Sequence, residues 1–224
     1  MNLKMKKLSL DAFSLKIIAI VTMGIQHIMF VFGEVIPNEV LFPMAVVRWI
    51  TFPIMAFFVV EGFKRTTHIK KYMLRLLVFA TVSQIPYMMA FRVFIPPLNI
   101  IFTILTGLIL LILYDNLYVK KQKRLQFGIV FVITIIASQF VVEGGLGAVL
   151  LIFLMYVIKG DKKRIVIPLI LWGTLMGLIS AVPALGPFIA IPLLLAYNGK
   201  RGIRAKYLFY GFYPLHLLIL AFIS

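Results

Sequence analysis

The chain has 224 residues, 62% of them hydrophobic, a mean hydropathy of +1.07 and a formal net charge of +16. This composition excludes a soluble domain and points to an all-α, polytopic membrane bundle forming a single domain over residues 1–224; the alternating strand-length segments of an outer-membrane barrel are missing. The 23 Lys plus Arg outweigh the 7 Asp plus Glu, and there is no cysteine, which excludes disulfides and thiolate chemistry, while the basic surplus suits loops facing anionic membrane lipids rather than nucleic acid, since no basic face is interleaved with exposed aromatics.

Lys4, Lys6 and Lys7 precede the first apolar segment. That segment is too long for a signal-peptide core and has no small-residue cleavage site, so it is expected to stay as an uncleaved first span. Nine spans are expected, at about 14–33, 42–63, 72–91, 98–118, 125–142, 145–159, 164–181, 184–197 and 207–223. The sixth and eighth are short for a full crossing. Basic clusters fall at every second connection: at 4–16, 64–75, 120–124, 159–164 and 200–206. They hold 21 of the 23 basic residues. By the positive-inside rule the N-terminus is expected in the cytoplasm and the C-terminus outside, in the bacterial cytoplasmic membrane.

Span one carries Lys16 near its start and His27 past its middle. Eleven residues make three turns plus about 20°, so the two lie on one face, ~16 Å apart along the axis. A histidine at that depth is a functional candidate, as a general base or a transient acyl carrier; a structural hydrogen bond to a neighbouring helix is the alternative. Lys16 is either a snorkelling flank residue or a contact to the phosphates of a cytosolic donor. Arg48, in the outer part of span two, is the most expensive intramembrane charge and must face the bundle interior. It serves either a structural ion pair or the stabilisation of developing negative charge. Glu61 and Arg65 are four apart, at helix-pair spacing. With Lys70, Lys71 and Arg75, Arg65 suits an anionic cofactor or lipid headgroups. Asn99, Thr103 and Thr106 share a face of span four, which glues helices or lines a polar cavity. Glu143 sits at the outer end of span five beside three nearby glycines, as a turn carboxylate or a substrate-binding one. His216 follows Tyr213 and Pro214 in span nine. Three histidines without carboxylates at ligand spacing give no metal site.

Several stretches resemble the TraX family. They are Leu15-Lys16-Ile17-Ile18-Ala19 through Met23 to His27-Ile28, Arg48…Phe52-Pro53…Phe57, Val60-Glu61-Gly62-Phe63, and Lys71-Tyr72-Met73-Leu74-Arg75-Leu76. Ser83-Gln84-Ile85-Pro86-Tyr87, Asn99-Ile100-Ile101-Phe102-Thr103, Tyr197-Asn198-Gly199-Lys200-Arg201-Gly202 and Phe212-Tyr213-Pro214-Leu215-His216-Leu217 continue the series in order. The family is named for a protein that acetylates the N-terminus of conjugative pilin. The basic residue, ten intervening residues and histidine of span one also resemble the acyltransferase-three superfamily. The resemblance implies an acetyl-CoA-dependent membrane acetyltransferase whose acceptor is an amine or hydroxyl of an exported peptide or glycan. It implies His27, Arg48 and Glu143 as catalytic, and Lys16, Glu61, Arg65, Lys71, Arg75 and Asn99 as cofactor-binding. Gln26, Tyr213 and His216 are expected to support the substrate and the catalytic histidine. The chain departs from the family in having Gln26 where Asp is usual, and Glu143-Gly144-Gly145 where an Asp-Tyr-Gly sequence is common. A transporter or flippase, and a non-catalytic partner of a secretion or conjugation system, are the rival readings.

Overall fold

The computed structural model describes residues 8–94, 97–158, 162–179 and 185–224. Lys4, Lys6, Lys7 and Lys159, and residues 182–184 of one expected outer connection, lie outside the described residues. Ten α-helices follow in order: α1 Ala12–Phe32, α2 Asn38–Val47, α3 Thr51–Arg65, α4 Ile69–Phe91, α5 Ile100–Leu113, α6 Arg124–Val141, α7 Gly145–Val157, α8 Val166–Ile179, α9 Gly186–Leu195 and α10 Lys206–Ile223. Each expected span coincides with a helical segment. The second is made of two helices, α2 and α3, joined by a 3₁₀ turn over Arg48–Ile50. The fourth is α5 continued by a π-helical stretch, Tyr114–Lys120. Five helical segments are long and apolar enough to cross a membrane: α1, α2 through α3, α4, α5 with its continuation, and α6. The protein is therefore a helical membrane protein. Among the described residues there is no strand, only two isolated bridges.

The helix ends follow local chemistry. Asp11 caps α1, its carboxylate accepting from the Ser14 N–H at 2.8 Å and the Ser14 hydroxyl at 2.8 Å; these donors hold Asp11 below the usual carboxylate range. Asn99 caps α5 by accepting from the Ile101 N–H at 3.0 Å. Gly144, at φ +76°, turns the chain into α7 in a backbone region closed to most side chains. Pro53 explains the 3₁₀ turn before it. It has no N–H to offer the Trp49 carbonyl, so the α-helical ladder is interrupted one turn upstream. This interruption sets the angle at which Arg48 and Trp49 leave the rod.

Hydrocarbon offers buried apolar side chains little that a protein interior does not. Packing of small residues and satisfied polar groups therefore does most of the assembly. Ala56 on α3 and Ala80 on α4 are fully buried. Gly107 on α5 lets Ile152 of α7 come so close that a Cβ there would stand 2.6 Å from its Cδ1. Backbone bonds tie the ends of the bundle. On the basic face Leu10 donates to Ala196 at 2.9 Å and Asn198 donates to Leu10 at 2.8 Å. On the opposite, outer face Leu98 donates to Val141 at 2.7 Å and Glu143 donates to Leu98 at 2.8 Å.

The first residue of α9, Gly186, rests on the 3₁₀ turn. A Cβ there would meet Trp49 Cβ at 2.5 Å, Trp49 C at 2.6 Å and Ile50 N at 2.7 Å. Since backbone cannot yield as a flexible side chain can, Gly186→Ala is expected to destabilise by roughly 1–3 kcal/mol. Gly128→Ala, where a Cβ meets nothing within 4 Å, should be neutral or slightly stabilising. Thermal unfolding of the two purified variants checks this; equal midpoints would mean that α9 does not seat on the turn.

Candidate functional site

Two cavities lie end to end inside the bundle. The first opens on the basic face and encloses about 540 Å³. Its cations are Lys16, Arg65, Arg75 and Arg201, and its aromatic walls include Phe58, Tyr72, Phe209 and Tyr210. The second encloses about 420 Å³ towards the outer face and is lined by Gln26, His27, Arg48, Trp49, Glu143 and Trp172 among others. Met23 and Met55 line both. The two methionines form the septum between a cationic chamber and a chamber holding a histidine.

The sequence builds this shaft from two antiparallel helices. Along α1, Lys16, Met23 and His27 recur at seven and four residues, so they stack on one ridge. Along the second span, Arg65, Gly62, Phe58, Met55, Phe52 and Arg48 recur at three and four residues in the opposite direction. Lys16 and Arg65 therefore stand at the basic end, the methionines in the middle, and His27 and Arg48 at the outer end. Lys16 is half-buried, its Nζ 4.9 Å from the Phe58 ring centre and 5.4 Å from that of Phe209. Gly62 keeps the wall thin: a Cβ there would touch the Tyr72 hydroxyl at 3.0 Å.

His27 is 2% exposed. Its Nδ1 lies 2.6 Å from His216 Nε2, with the two rings 10° from parallel. His216 Nδ1 lies 2.7 Å from the Phe212 carbonyl oxygen, which can only accept. The chain of bonds fixes both tautomers. With both rings neutral, His216 donates from Nδ1 to Phe212, so its Nε2 is the acceptor and His27 donates from Nδ1. That leaves the lone pair of His27 on Nε2, which has no hydrogen-bond partner among the described residues. Phe91, at 5.6 Å between ring centres, and Tyr213, at 5.9 Å, wall the imidazole in. An imidazole with its Nδ1 proton held and its Nε2 free is arranged to take a proton or to attack a carbonyl carbon.

The other expected residues divide between the cavities and the frame. Arg48 and Gln26 line the outer cavity with His27. The Arg48 guanidinium lies 4.9 Å from the Trp49 ring centre and 5.5 Å from that of Phe30. Glu143 lines it too, its carboxylate accepting from the Ile100 N–H at 3.0 Å. Burial pushes this loop carboxyl up to about 7, against the lowering effect of the Ile100 bond. Tyr213 is buried beside His27, its hydroxyl without a partner among the described residues. Glu61 pairs with Arg65 at 2.8 Å and so aims a cation of the basic cavity. Lys71 is exposed and is not part of the lining. Asn99 lies at the opposite end from the cations. It donates to the Ala80 carbonyl at 2.8 Å and to Gln84 at 2.9 Å, and so fastens α5 to α4. Arg201, Tyr72, Trp49 and Trp172 line the cavities without having been singled out as site residues. Arg201 and Tyr72 sit inside the family-like motifs and were open to discovery; Trp172, alone in the apolar α8, carries no local signal.

A family model described as TraX protein matches residues 11–224. A curated relative, the "Probable fimbrial assembly protein FimC, serogroup H1" of Dichelobacter nodosus, is 28% identical over 242 residues, covering 96% of this chain and 96% of the relative. No solved structure matches the chain.

The hydrogen-bond chain is testable by magic-angle-spinning NMR of ¹⁵N-histidine-labelled protein in lipid. Two of the three histidines should show protonated Nδ1 and unprotonated Nε2, with His68, exposed at the basic face, as the mobile reference. In His216→Phe the His27 Nδ1 signal should shift; an unchanged spectrum refutes the bond.

Proposed function

The chain belongs to the TraX family, and from that premise we propose that it is an integral membrane acetyltransferase of the bacterial cytoplasmic membrane. It takes acetyl-CoA from the cytosol and acetylates an amine or hydroxyl on an exported peptide or glycan. The relative's name supports a setting in fimbrial assembly. The observation that carries the reading is the pair of cavities meeting at Met23 and Met55, with four cations on one side and the free Nε2 of His27 on the other.

In this reading Lys16, Arg65, Arg75 and Arg201 receive the phosphates of the donor, where charge-assisted bonds are strongest. The aromatic walls take the apolar parts, and the thin acyl arm passes between the two methionines. Met is suited to that position, since its unbranched side chain yields without leaving a permanent opening. The acceptor enters from outside. Its nitrogen or oxygen attacks the thioester carbonyl carbon, His27 Nε2 takes the proton, the C–S bond breaks, and His27 returns that proton to the leaving thiolate to give the thiol. If His27 carries the acetyl group instead, the same lone pair forms the N–C bond and the acceptor displaces it in a second step. Arg48 is the cation of the outer cavity and draws negative charge to its wall.

A non-catalytic role in fimbrial assembly is the second reading, favoured by the relative's name. The two separate by assay. His27→Ala should lower acetyl transfer from labelled acetyl-CoA to exported protein or glycan by roughly 10²–10⁴-fold, the range of a lost general base. Lys16→Gln and Arg75→Gln should each raise KM for acetyl-CoA by about tenfold and leave kcat nearly unchanged. Failure of the purified protein to bind acetyl-CoA or to move label would refute the enzyme. Fimbrial assembly that proceeds normally in a His27→Ala strain would favour the partner.

A further inference from the structure

The wall of the outer cavity holds three nitrogen donors with nothing to donate to. Arg48 Nε, Trp49 Nε1 and Trp172 Nε1 are buried without a hydrogen-bond partner among the described residues, and all three side chains line the one cavity. Trp172 is 5% exposed. Trp49 and Trp172 meet edge to face at 5.7 Å between ring centres, and Phe52 lies 5.9 Å from Trp172. The Trp49 backbone is pinned by Gly186, so the wall is built rather than loose.

Charge makes the same point. The side-chain ion pair among the described residues is Arg65 with Glu61, on the opposite face of the bundle. Glu143 shares the cavity with Arg48, yet it makes no ion pair with the guanidinium and accepts from the Ile100 N–H. A guanidinium at this depth without a counter-charge is costly at all times, including between turnovers. Negative charge that develops only in a transition state relieves that cost only in passing. The aromatic faces above and beside Arg48 attract its charge but offer no acceptor for its in-plane N–H. A permanent negative group in the cavity would give the guanidinium its counter-charge and offer acceptors to the unpartnered N–H groups of the wall.

We propose that Arg48, Trp49 and Trp172 form a seat for an oxyanion, a carboxylate or phosphate carried by the molecule that accepts the acyl group. The assignment to the acceptor rests on the acyltransfer reading above; the seat itself does not. The acceptor is then bifunctional. Its anionic end is held at Arg48, and its amine or hydroxyl is left at the His27 end of the same cavity. A membrane headgroup phosphate presents similar chemistry and is the other source of such a group.

The chain has two tryptophans, and both are in this wall, so intrinsic fluorescence reports on the seat alone. Full-length protein in a phosphate-free maltoside detergent is titrated with glucuronate, glucose 6-phosphate, glucose and dihexanoyl phosphatidylglycerol, in the absence of acetyl-CoA. A saturable change with glucuronate or glucose 6-phosphate, and none with glucose, is expected. Arg48→Gln should weaken that response by about tenfold or more. Trp172→Phe, which keeps the ring and deletes the N–H, should weaken it several-fold with Trp49 still reporting. A response to the short-chain lipid alone would overturn the acceptor assignment in favour of a headgroup. Equal responses to glucose and glucuronate, or a response untouched by both substitutions, would overturn the seat. Because no acyl donor is present, a positive titration with a failed transfer assay would sink the acyltransfer reading and leave the seat standing.

Discussion

The hydrogen bond from His27 to His216 is the contact on which the outer cavity depends. It joins α1 to α10 across 189 residues of sequence. It holds the proton on Nδ1 of His27 and so leaves the lone pair on Nε2. Without it the imidazole would be a polar ring in hydrocarbon, free to change tautomer and with a donor to satisfy elsewhere. With it, one imidazole is satisfied by the other, and the second by the backbone turn at Phe212. Both rings can be neutral in this arrangement. That is the cheapest way to hold a basic nitrogen at membrane depth, because no charge is taken out of water until a proton arrives.

The positions of the spans were legible because hydrophobic length and alternating basic loops are both imposed by the bilayer. So was the shared face of Lys16 and His27, since helical periodicity holds whatever the helix packs against. The partner of His27 was legible only as a shortlist. Gln26, Glu143 and His216 all had the chemistry, and the choice among them depends on which spans are neighbours, which periodicity does not set. The same limit governs Asn99. Its polar face suggested helix–helix glue or a cavity lining, the resemblance implied a cofactor contact, and its position beside α4 makes it a cap and a clamp. Trp172 was invisible for a third reason. An apolar helix can place its single indole anywhere on its surface, and only the crossing with the 3₁₀ turn brings it against Trp49.

The division of the shaft at Met23 and Met55 follows from what a membrane must prevent. A continuous polar channel from the basic cavity to the outer one would leak ions down their gradient. In the proposed reading, a rigid plug would stop the acyl group as well. Two unbranched side chains, one buried and one half-buried, separate the chambers while remaining deformable. The proline-interrupted ladder before Pro53 and the glycine contact at Gly186 then keep the outer wall rigid where the septum is soft. Softness is confined to the septum, the place where the proposed reading has the acyl arm pass.

The Gln26 departure acquires a physical reading in this setting. A carboxylate next to His27 would stabilise an imidazolium, at the cost of a second buried charge whenever the imidazole is neutral. Here that position is an amide in the cavity lining, and the orienting role falls to His216. The proton accepted by His27 therefore finds no adjacent fixed anion on its own helix. The ionisable carboxylate of the cavity is Glu143, on the loop at the outer mouth, and burial keeps it close to neutrality. In the proposed reading, a base without a counter-ion on its own helix favours handing its proton on to the leaving thiolate over storing it.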